Sequence, residues 1–300
     1  MQNSLFHLPQ IVADRAEQAD SDPAIKAKGY SRETLLATSA DWMLEFAARY
    51  PESPLVEEAG FQLAGTHLEL ERHDRAVGVC RTLARRFPEG TYLDGFLYME
   101  GYAHRARGDM GTSLRLLGRV ADEQFHSPGG GVGVPSEQQP LARYAIAQIH
   151  DAAGRSEKAL EYYRLVSGRY RDAAEAVAQM EQVVLTTDDV HTVVTSRSPV
   201  LDVQSRNVPD ADLLLYQVDL MRLLLREKNL ASVSSIRLAG IEPIHRATMA
   251  LKGGRLREST TSLSLPLKQP GAYLVVLKGE EAGASAMVLY SDLDLVVQEL

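Results

Sequence analysis

Ala48-Arg49-Tyr50-Pro51-Glu52-Ser53 and Arg85-Arg86-Phe87-Pro88-Glu89-Gly90 are two versions of one short phrase. Their prolines are 37 residues apart. A period in this range is typical of helix-pair solenoids, in which each unit buries its apolar face against its neighbours. Because stacked units build an extended surface, the phrase predicts a helical repeat that binds a partner and does not catalyse a reaction.

The totals are those of ordinary globular material. The chain has 300 residues, 45% of them hydrophobic, and a net charge of −8; the length is a soft prior for about two domains. No block of Lys or Arg is present, so we expect no nucleic-acid partner. No uninterrupted apolar run of about 18 residues occurs, so we expect no direct membrane insertion. The single cysteine, Cys80, excludes an internal disulfide framework and is expected to be a small buried side chain.

Outward from the phrase, apolar residues recur at helical spacing on both sides of a polar turn in three successive units. The turns are Glu71-Arg72-His73-Asp74, Arg107-Gly108-Asp109 and Gly154-Arg155-Ser156. A further half unit ends at Tyr50-Pro51. Residues 1–34 are polar and are interpreted as an N-terminal arm or a capping helix.

These units resemble the tetratricopeptide repeat. That family places a small residue at its eighth position, Ala at the twentieth, a large residue at the twenty-fourth and Pro at the thirty-second. The matching residues are Ala64, Ala76, Cys80 and Pro88 in the first unit, Gly101, Ser113, Leu117 and Phe125 in the second, and Ala147, Ala159 and Tyr163 in the third. Ser113 replaces the usual Ala, and the second and third units lack the closing Pro. The resemblance implies repeats over residues 35–190.

A Gly-rich stretch, residues 128–135, interrupts the period. Gly101 and Ala147 are 46 residues apart where 37 is expected, so this stretch is an insertion. No Gly-Lys-Ser/Thr follows it and no predicted strand precedes it, so a surface loop is strongly favoured over a phosphate-binding loop. We expect a flexible surface loop at the rim of the solenoid.

After residue 190 the pattern changes to short strands separated by Gly and Pro turns, which predicts a β-sandwich over residues 198–300. The stretches Leu215–Leu220, Leu238–Pro243, Leu265–Val275 and Val288–Leu293 resemble the first macroglobulin-type domain of bacterial alpha-2-macroglobulin-like proteins. In Leu265–Val275 a turn leads into a strand whose Tyr is expected to face inward. The thioester motif of that family, Cys-Gly-Glu-Gln, is absent, because Cys80 is followed by Arg81-Thr82. The expected fold class is therefore α+β multidomain, an all-α repeat solenoid followed by an all-β sandwich.

The candidate contact residues lie on the inner helices, which line the concave face of such a solenoid. Gln62, Thr66, Glu69 and Arg105 are expected to be left exposed by the core register and to contact a protein or peptide. His67, His104 and His150 each follow a small position by three residues. Equivalent residues of successive units are about 8–10 Å or more apart, too far to share one metal ion, so packing is the favoured role.

These patterns predict a non-catalytic interaction scaffold without metal or cofactor. The macroglobulin-type resemblance implies that it is a piece of a bacterial alpha-2-macroglobulin-like protein of the periplasm or cell envelope, with further domains in the parent protein. One alternative is a cytoplasmic tetratricopeptide adaptor for a chaperone or secretion partner. Another is a hydrolase whose site, between the two domains, would use Asp210, Asp212 and His245.

Overall fold

The computed structural model describes residues 2–19, 21–22, 25, 27–126, 132–219, 242–252 and 254–292. They form a helical repeat region followed by a β region. Two compact units divide the chain, Met1–Ala174 and Glu175–Leu300. Over the described residues no helix is both long and apolar enough to cross a bilayer.

The first unit consists of helices, and the first eight of the described ones pack in succession along the chain. The ninth begins in this unit and ends in the second. Their bounds are α1 Gln2–Gln18, α2 Arg32–Arg49, α3 Val56–Glu69, α4 His73–Arg86, α5 Leu93–Ala106, α6 Met110–Asp122, α7 Gln139–Ala152, α8 Ser156–Val166 and α9 Arg171–Glu181. Helices α3–α4, α5–α6 and α7–α8 are the three predicted pairs. Helix α1 packs on α2, with Phe6 buried against Phe46, so the N-terminal segment is helical and not a loose arm.

The first helix of each pair ends in the same hydrogen-bonded turn. The residue that follows the helix by two positions has a positive φ; it is Glu71, Gly108 and Gly154 in turn. The next backbone N–H donates to the carbonyl of the equivalent histidine, at 2.8–2.9 Å in all three pairs. This is a Schellman termination, which satisfies carbonyls that the helix leaves unpaired.

Small residues lie where paired helices approach most closely. Ala64, Ala76 and Cys80 are fully buried. A Cβ atom at Gly101 would lie 3.0 Å from Cγ of Leu117, tighter than ordinary van der Waals contact. The small positions of the register therefore serve close packing, because larger side chains there would separate the helices.

The insertion is in part ordered. Gln124–Phe125 (β1) and Val134–Pro135 (β2) form a short antiparallel ladder. The prediction of a flexible loop is wrong for Val134 and Pro135, because they pair with Phe125 and Gln124, and Phe125 is itself buried against α6 and α7. Residues 127–131 of the loop lie outside the described part of the chain.

In the part of the chain that the structure describes, the β region forms two sheets. Its strands are β3 Val184–Thr187, β4 Val190–Val194, β5 Val200–Arg206, β6 Asp210–Val218, β7 His245–Ala250, β8 Ser259–Ser264, β9 Gly271–Lys278 and β10 Gly283–Ser291. One sheet has the order β4-β10-β9-β6-β7, and the other has the order β3-β5-β8. All neighbours are antiparallel except β4 and β10.

The two sheets share one hydrophobic core, to which Leu201 and Val203 contribute from one side and Leu215 and Val275 from the other. Tyr273 is also buried in this core, so the prediction of an inward-facing Tyr is confirmed. The opposite face of the larger sheet carries a second buried apolar cluster that includes Leu214 and Leu274. Strands buried on both faces have nearly continuous apolar sequences, which explains Leu213-Leu214-Leu215.

The strand-rich region begins earlier than the sequence indicated. Its first strand begins at Val184 and its compact unit at Glu175, ahead of the predicted bounds at 190 and 198. The reason is that β3 is only four residues long and follows α9 without a Gly or Pro to mark the change. Of the stretches that carry the macroglobulin-type resemblance, residues 220, 238–241 and 293 lie outside the described residues.

Candidate protein-binding face

The first helices of the three pairs, α3, α5 and α7, line one side of the helical unit. Helix α3 contacts α5 directly. Across the next gap, Arg105 Nη1 of α5 donates to Gln148 Oε1 of α7 at 2.9 Å. We call this side the first-helix face.

An aromatic residue occupies the same repeat position in each unit. Phe61, Tyr98 and Tyr144 are related by the same intervals of 37 and 46 residues that relate the small positions. The rings of the first and third contact further aromatic rings: Phe61 lies 5.1 Å from Tyr92 between ring centroids, and Tyr144 lies 5.3 Å from Tyr170. We call these three residues the aromatic ladder. Sequence reasoning missed it, although extending the register to this position would have found it.

Arg105 lies among the tyrosines of the ladder. Burial, and then Tyr102 and Tyr170, raise the pKa of Tyr98, whereas the Arg105 guanidinium opposes that shift. Burial, followed by Asp151 and Tyr144, raises the pKa of Tyr163 to about 12, again against the effect of Arg105. The hydroxyls therefore stay protonated at physiological pH and can donate as well as accept hydrogen bonds.

This combination suits contact with a protein. Tyr102, one turn from Tyr98 on the same helix face, is 44% exposed. Tyrosine offers a large contact area and a polar end at little loss of side-chain entropy, and both tyrosine and arginine are enriched at interface hot spots.

The four predicted contact residues differ in exposure. Glu69 is exposed and pairs with Arg32 at 2.5 Å, and Arg105 is half-buried in the site described above. Gln62 is half-buried, and within the described residues its Oε1 has no hydrogen-bond partner. Whether these residues bind a protein stays a prediction.

The expected exposure of Thr66 is wrong. Its side chain is 5% exposed, and its hydroxyl donates to the carbonyl of Gln62 at 3.0 Å. The reason is its register: the equivalent residues of the next units, Ala103 and Ile149, are buried as well. Thr66 therefore faces the packed side of its helix.

The three equivalent histidines are all buried. Burial, and then Arg75 and Arg72, lower the pKa of His67. His150 stacks on Tyr162 with ring centroids 6.0 Å apart, and its pKa is lowered for the same leading reason, burial. Both imidazoles are thus held in the neutral form.

His104 belongs to a charged cluster between α4 and α5 that the sequence did not predict. Arg81 Nη2 donates to Glu100 Oε1 at 2.8 Å, and Glu100 is only 6% exposed. The two imidazole nitrogens of His104 lie 3.7 Å from Glu100 and 3.0 Å from Asp109. Leu63 and Ile146 occupy the position of Glu100 in the other units, so the cluster is specific to the middle pair.

Other chemistry finds no support among the described residues. Within them no group of three His, Cys, Asp or Glu side chains is placed to hold a metal ion. Cys80 is buried, and burial raises the pKa of its thiol to about 12, so little nucleophilic thiolate forms.

The residues of the hydrolase alternative are not brought together. Asp212 accepts a hydrogen bond from Thr248, its partner across β6 and β7, at 2.8 Å. His245 is paired with Leu215, three residues further along β6. Because paired residues share a face and neighbours alternate, His245 lies on the opposite face from Asp210 and Asp212. These three side chains cannot form one site.

No protein-family model and no curated protein sequence matches the chain. Among solved structures it is similar over 40% of its length to native alpha-2-macroglobulin from Escherichia coli spanning domains MG0-NIE-MG1, with 19% identity and a TM-score of 0.33. It is similar over 57% of its length to the TPR-like repeats of a kinesin light chain from Podosopora anserina, with 13% identity, 82% of that chain covered and a TM-score of 0.39. A third similar structure is MamA AMB-1, with 15% identity, 56% of this chain and 97% of that one covered, and a TM-score of 0.32. The chain spans 42% of the Escherichia coli alpha-2-macroglobulin fragment.

Proposed function

We propose that this chain is a non-catalytic protein-interaction scaffold whose tetratricopeptide-like pairs hold a partner on the first-helix face. The observation that carries the proposal is the aromatic ladder with Arg105 beside it. A periodic row of half-buried rings next to an exposed Tyr102 presents one contact per unit to an extended partner. The concave face of a solenoid is where such rows meet ligands.

Site-specific photo-crosslinking tests the proposal. A benzophenone amino acid replaces Tyr102 in the chain expressed in its native host, and adducts are identified by mass spectrometry. We expect a discrete protein adduct that is weakened by Arg105→Ala, because arginine and tyrosine are both enriched at interface hot spots.

The matched control places the same amino acid at Tyr30, an exposed tyrosine of the same unit that precedes α2. Adducts of equal yield from both positions, or from neither, contradict a partner on the first-helix face.

We further propose that the chain is a piece of a bacterial alpha-2-macroglobulin-like protein of the periplasm or cell envelope. Support comes from the stretch Leu265–Val275, in which a turn leads into the strand with buried Tyr273, and from the shared core of two sheets. The parent reading frame tests this. A signal peptide upstream and further sandwich domains downstream are expected, and a frame with neither contradicts the proposal.

The cytoplasmic adaptor for a chaperone or secretion partner remains the second candidate. The same first-helix face would serve it, so the crosslinked protein discriminates: adducts with cytoplasmic clients alone favour the adaptor, and adducts with envelope proteins favour the macroglobulin-like protein.

A further inference from the structure

A second feature of the helical unit is a pocket of about 330 Å³ where the inserted hairpin meets α3 and α5. Its walls include the rings of Phe61, Tyr92 and Phe125 together with Val134 and Pro135. Phe61 is the first member of the aromatic ladder, so the pocket shares one residue with the first-helix face. None of the described residues that line it is Lys or Arg.

The charge around this pocket is negative. Asp94 and Glu137 line it, and the carboxylates of Glu57 and Glu58 are close enough to Tyr92 to raise the pKa of its hydroxyl, after burial as the main cause. His126 also lines the pocket, and its Nδ1 donates to the carbonyl of Glu89 at 2.6 Å.

The acidic groups are held in place by the fold. Asp94 Oδ1 accepts from the backbone N–H of Gly95 at 2.8 Å, and Asp94 Oδ2 accepts from Ser136 Oγ at 2.7 Å. Glu57 Oε1 accepts from the Tyr92 N–H at 2.8 Å. Glu137 is exposed and, within the described part of the chain, forms no ion pair. Fixed carboxylates and one free carboxylate therefore surround an aromatic cavity.

We infer that this pocket binds a lysine or arginine side chain of a protein partner. The aliphatic stem would pack on the apolar wall, as such stems do on exposed apolar surface. The cationic head would meet the ring face of Tyr92 and the carboxylates, which attract a cation by cation–π and charge-assisted contacts. The inference rests on the proposed scaffold function and names the chemistry of the partner segment.

The test uses acetyl-Ala-Ala-Lys-Ala-Ala-amide and peptides with Arg, Gln or Leu at the centre, titrated into the 15N-labelled full chain. We expect the Lys and Arg peptides to shift the amide resonances of Gly95 and Glu137, and the Gln and Leu peptides to leave them in place. Added salt should weaken binding, because part of the pocket is open to solvent.

Two variants locate the site. Glu137→Gln should weaken the Lys peptide about threefold, the range for an exposed charge pair. Tyr92→Leu should weaken it about fivefold through loss of a cation–π contact. Glu71→Gln, an exposed carboxylate on another turn, should change nothing. If Tyr92→Leu fails to fold, the titration of the Glu137→Gln variant still tests the site.

The inference is overturned if the Gln or Leu peptide binds as well as the Lys peptide, if Glu137→Gln has no effect, or if no pocket resonance shifts up to millimolar peptide. If the Lys peptide does not bind but the Tyr102 adduct forms, the cation pocket is rejected and the scaffold proposal stands. If the Lys peptide binds but no Tyr102 adduct forms, a partner on the first-helix face is rejected and the pocket's affinity for a cation stands.

Discussion

The hydroxyl of Tyr273 is the polar end of a ring that is buried between two sheets. It donates to the carbonyl of Gln269, four residues earlier, at 2.7 Å and so closes the turn that leads into β9. At the scale of one residue, this bond ties a turn to the core, because the ring cannot move without disturbing both.

Tyr273→Phe should lower the free energy of unfolding by about 1 kcal/mol, the typical net value of one hydrogen bond. Urea unfolding followed by circular dichroism measures the change. Tyr290→Phe is the matched control: its hydroxyl donates to the Thr195 carbonyl over 3.2 Å from a half-buried ring, and a smaller loss is expected. Equal losses in both variants would contradict a special role for the Tyr273 turn.

At the scale of the element, the first helices of the three pairs end in the same turn, but the backbone strain of that turn differs between them. Gly108 and Gly154 adopt positive φ without a Cβ, whereas Glu71 adopts φ 55° with one. A left-handed conformation strains any residue that carries a Cβ. The α3–α4 turn therefore retains strain that its two equivalents lack.

Glu71→Gly should raise the free energy of unfolding by about 0.5–1 kcal/mol, since the relief of strain exceeds the added entropy of the unfolded chain. Gly108→Ala, the reverse change at the equivalent turn, should destabilise by about 1 kcal/mol. Both are read from urea unfolding midpoints. A loss of stability in Glu71→Gly would show that the side chain contributes more than its backbone costs.

The Arg81–Glu100 pair belongs to the same scale, because it joins α4 to α5. Removing Arg81 alone leaves a buried carboxylate without its main counter-charge. Arg81→Met should therefore lower the free energy of unfolding by about 1–2 kcal/mol, less than for a fully buried pair because the Arg81 side chain is half-exposed.

Adding Glu100→Leu to that variant should restore stability to the wild-type level or above, since Leu63 and Ile146 already fill this position in the other pairs. A double-mutant cycle in urea measures the coupling. If the double variant is less stable than Arg81→Met alone, the cluster holds α5 through His104 and Asp109 and the pairing argument is wrong.

At the scale of the whole molecule, two buried histidines contribute to how stability responds to pH. The pKa values of His67 and His150 in the folded chain lie below the ordinary value of 6.5. At pH values well above 6.5 both imidazoles are neutral in the folded and in the unfolded chain. As pH falls through 6.5 the unfolded chain takes up protons that the folded chain excludes, so stability falls until the lower folded pKa is reached.

The urea midpoint should therefore be lower at pH 5.5 than at pH 7.5. The double variant His67→Gln/His150→Gln removes both titrating groups and should show a smaller difference between the two pH values. An unchanged difference would mean that other groups govern the response.

The helical half of the molecule could be predicted well from the sequence, and the candidate site only in part. Local spacing predicts the turns at Gly108 and Gly154 and the small positions Ala64 and Gly101, because the same spacing recurs in each repeat unit. The same register pointed to Arg105, whose contact with a partner stays a prediction. Thr66 was wrongly expected to be exposed because its helix has a packed side as well as a free side. The apolar residues at the equivalent positions, Ala103 and Ile149, indicate that this position belongs to the packed side.

The sequence by itself determined that helix pairs come first and strands second, because helical period, turn residues and β-branched runs are local signals. Only the tertiary structure decided the parallel pairing of β4 with β10, which brings Val190 beside Met287. It also decided the buried Arg81–Glu100 pair and the pocket beneath the inserted hairpin. These depend on contacts between residues far apart in the chain or on neighbouring elements, and no single stretch of sequence records which distant partner a side chain will meet.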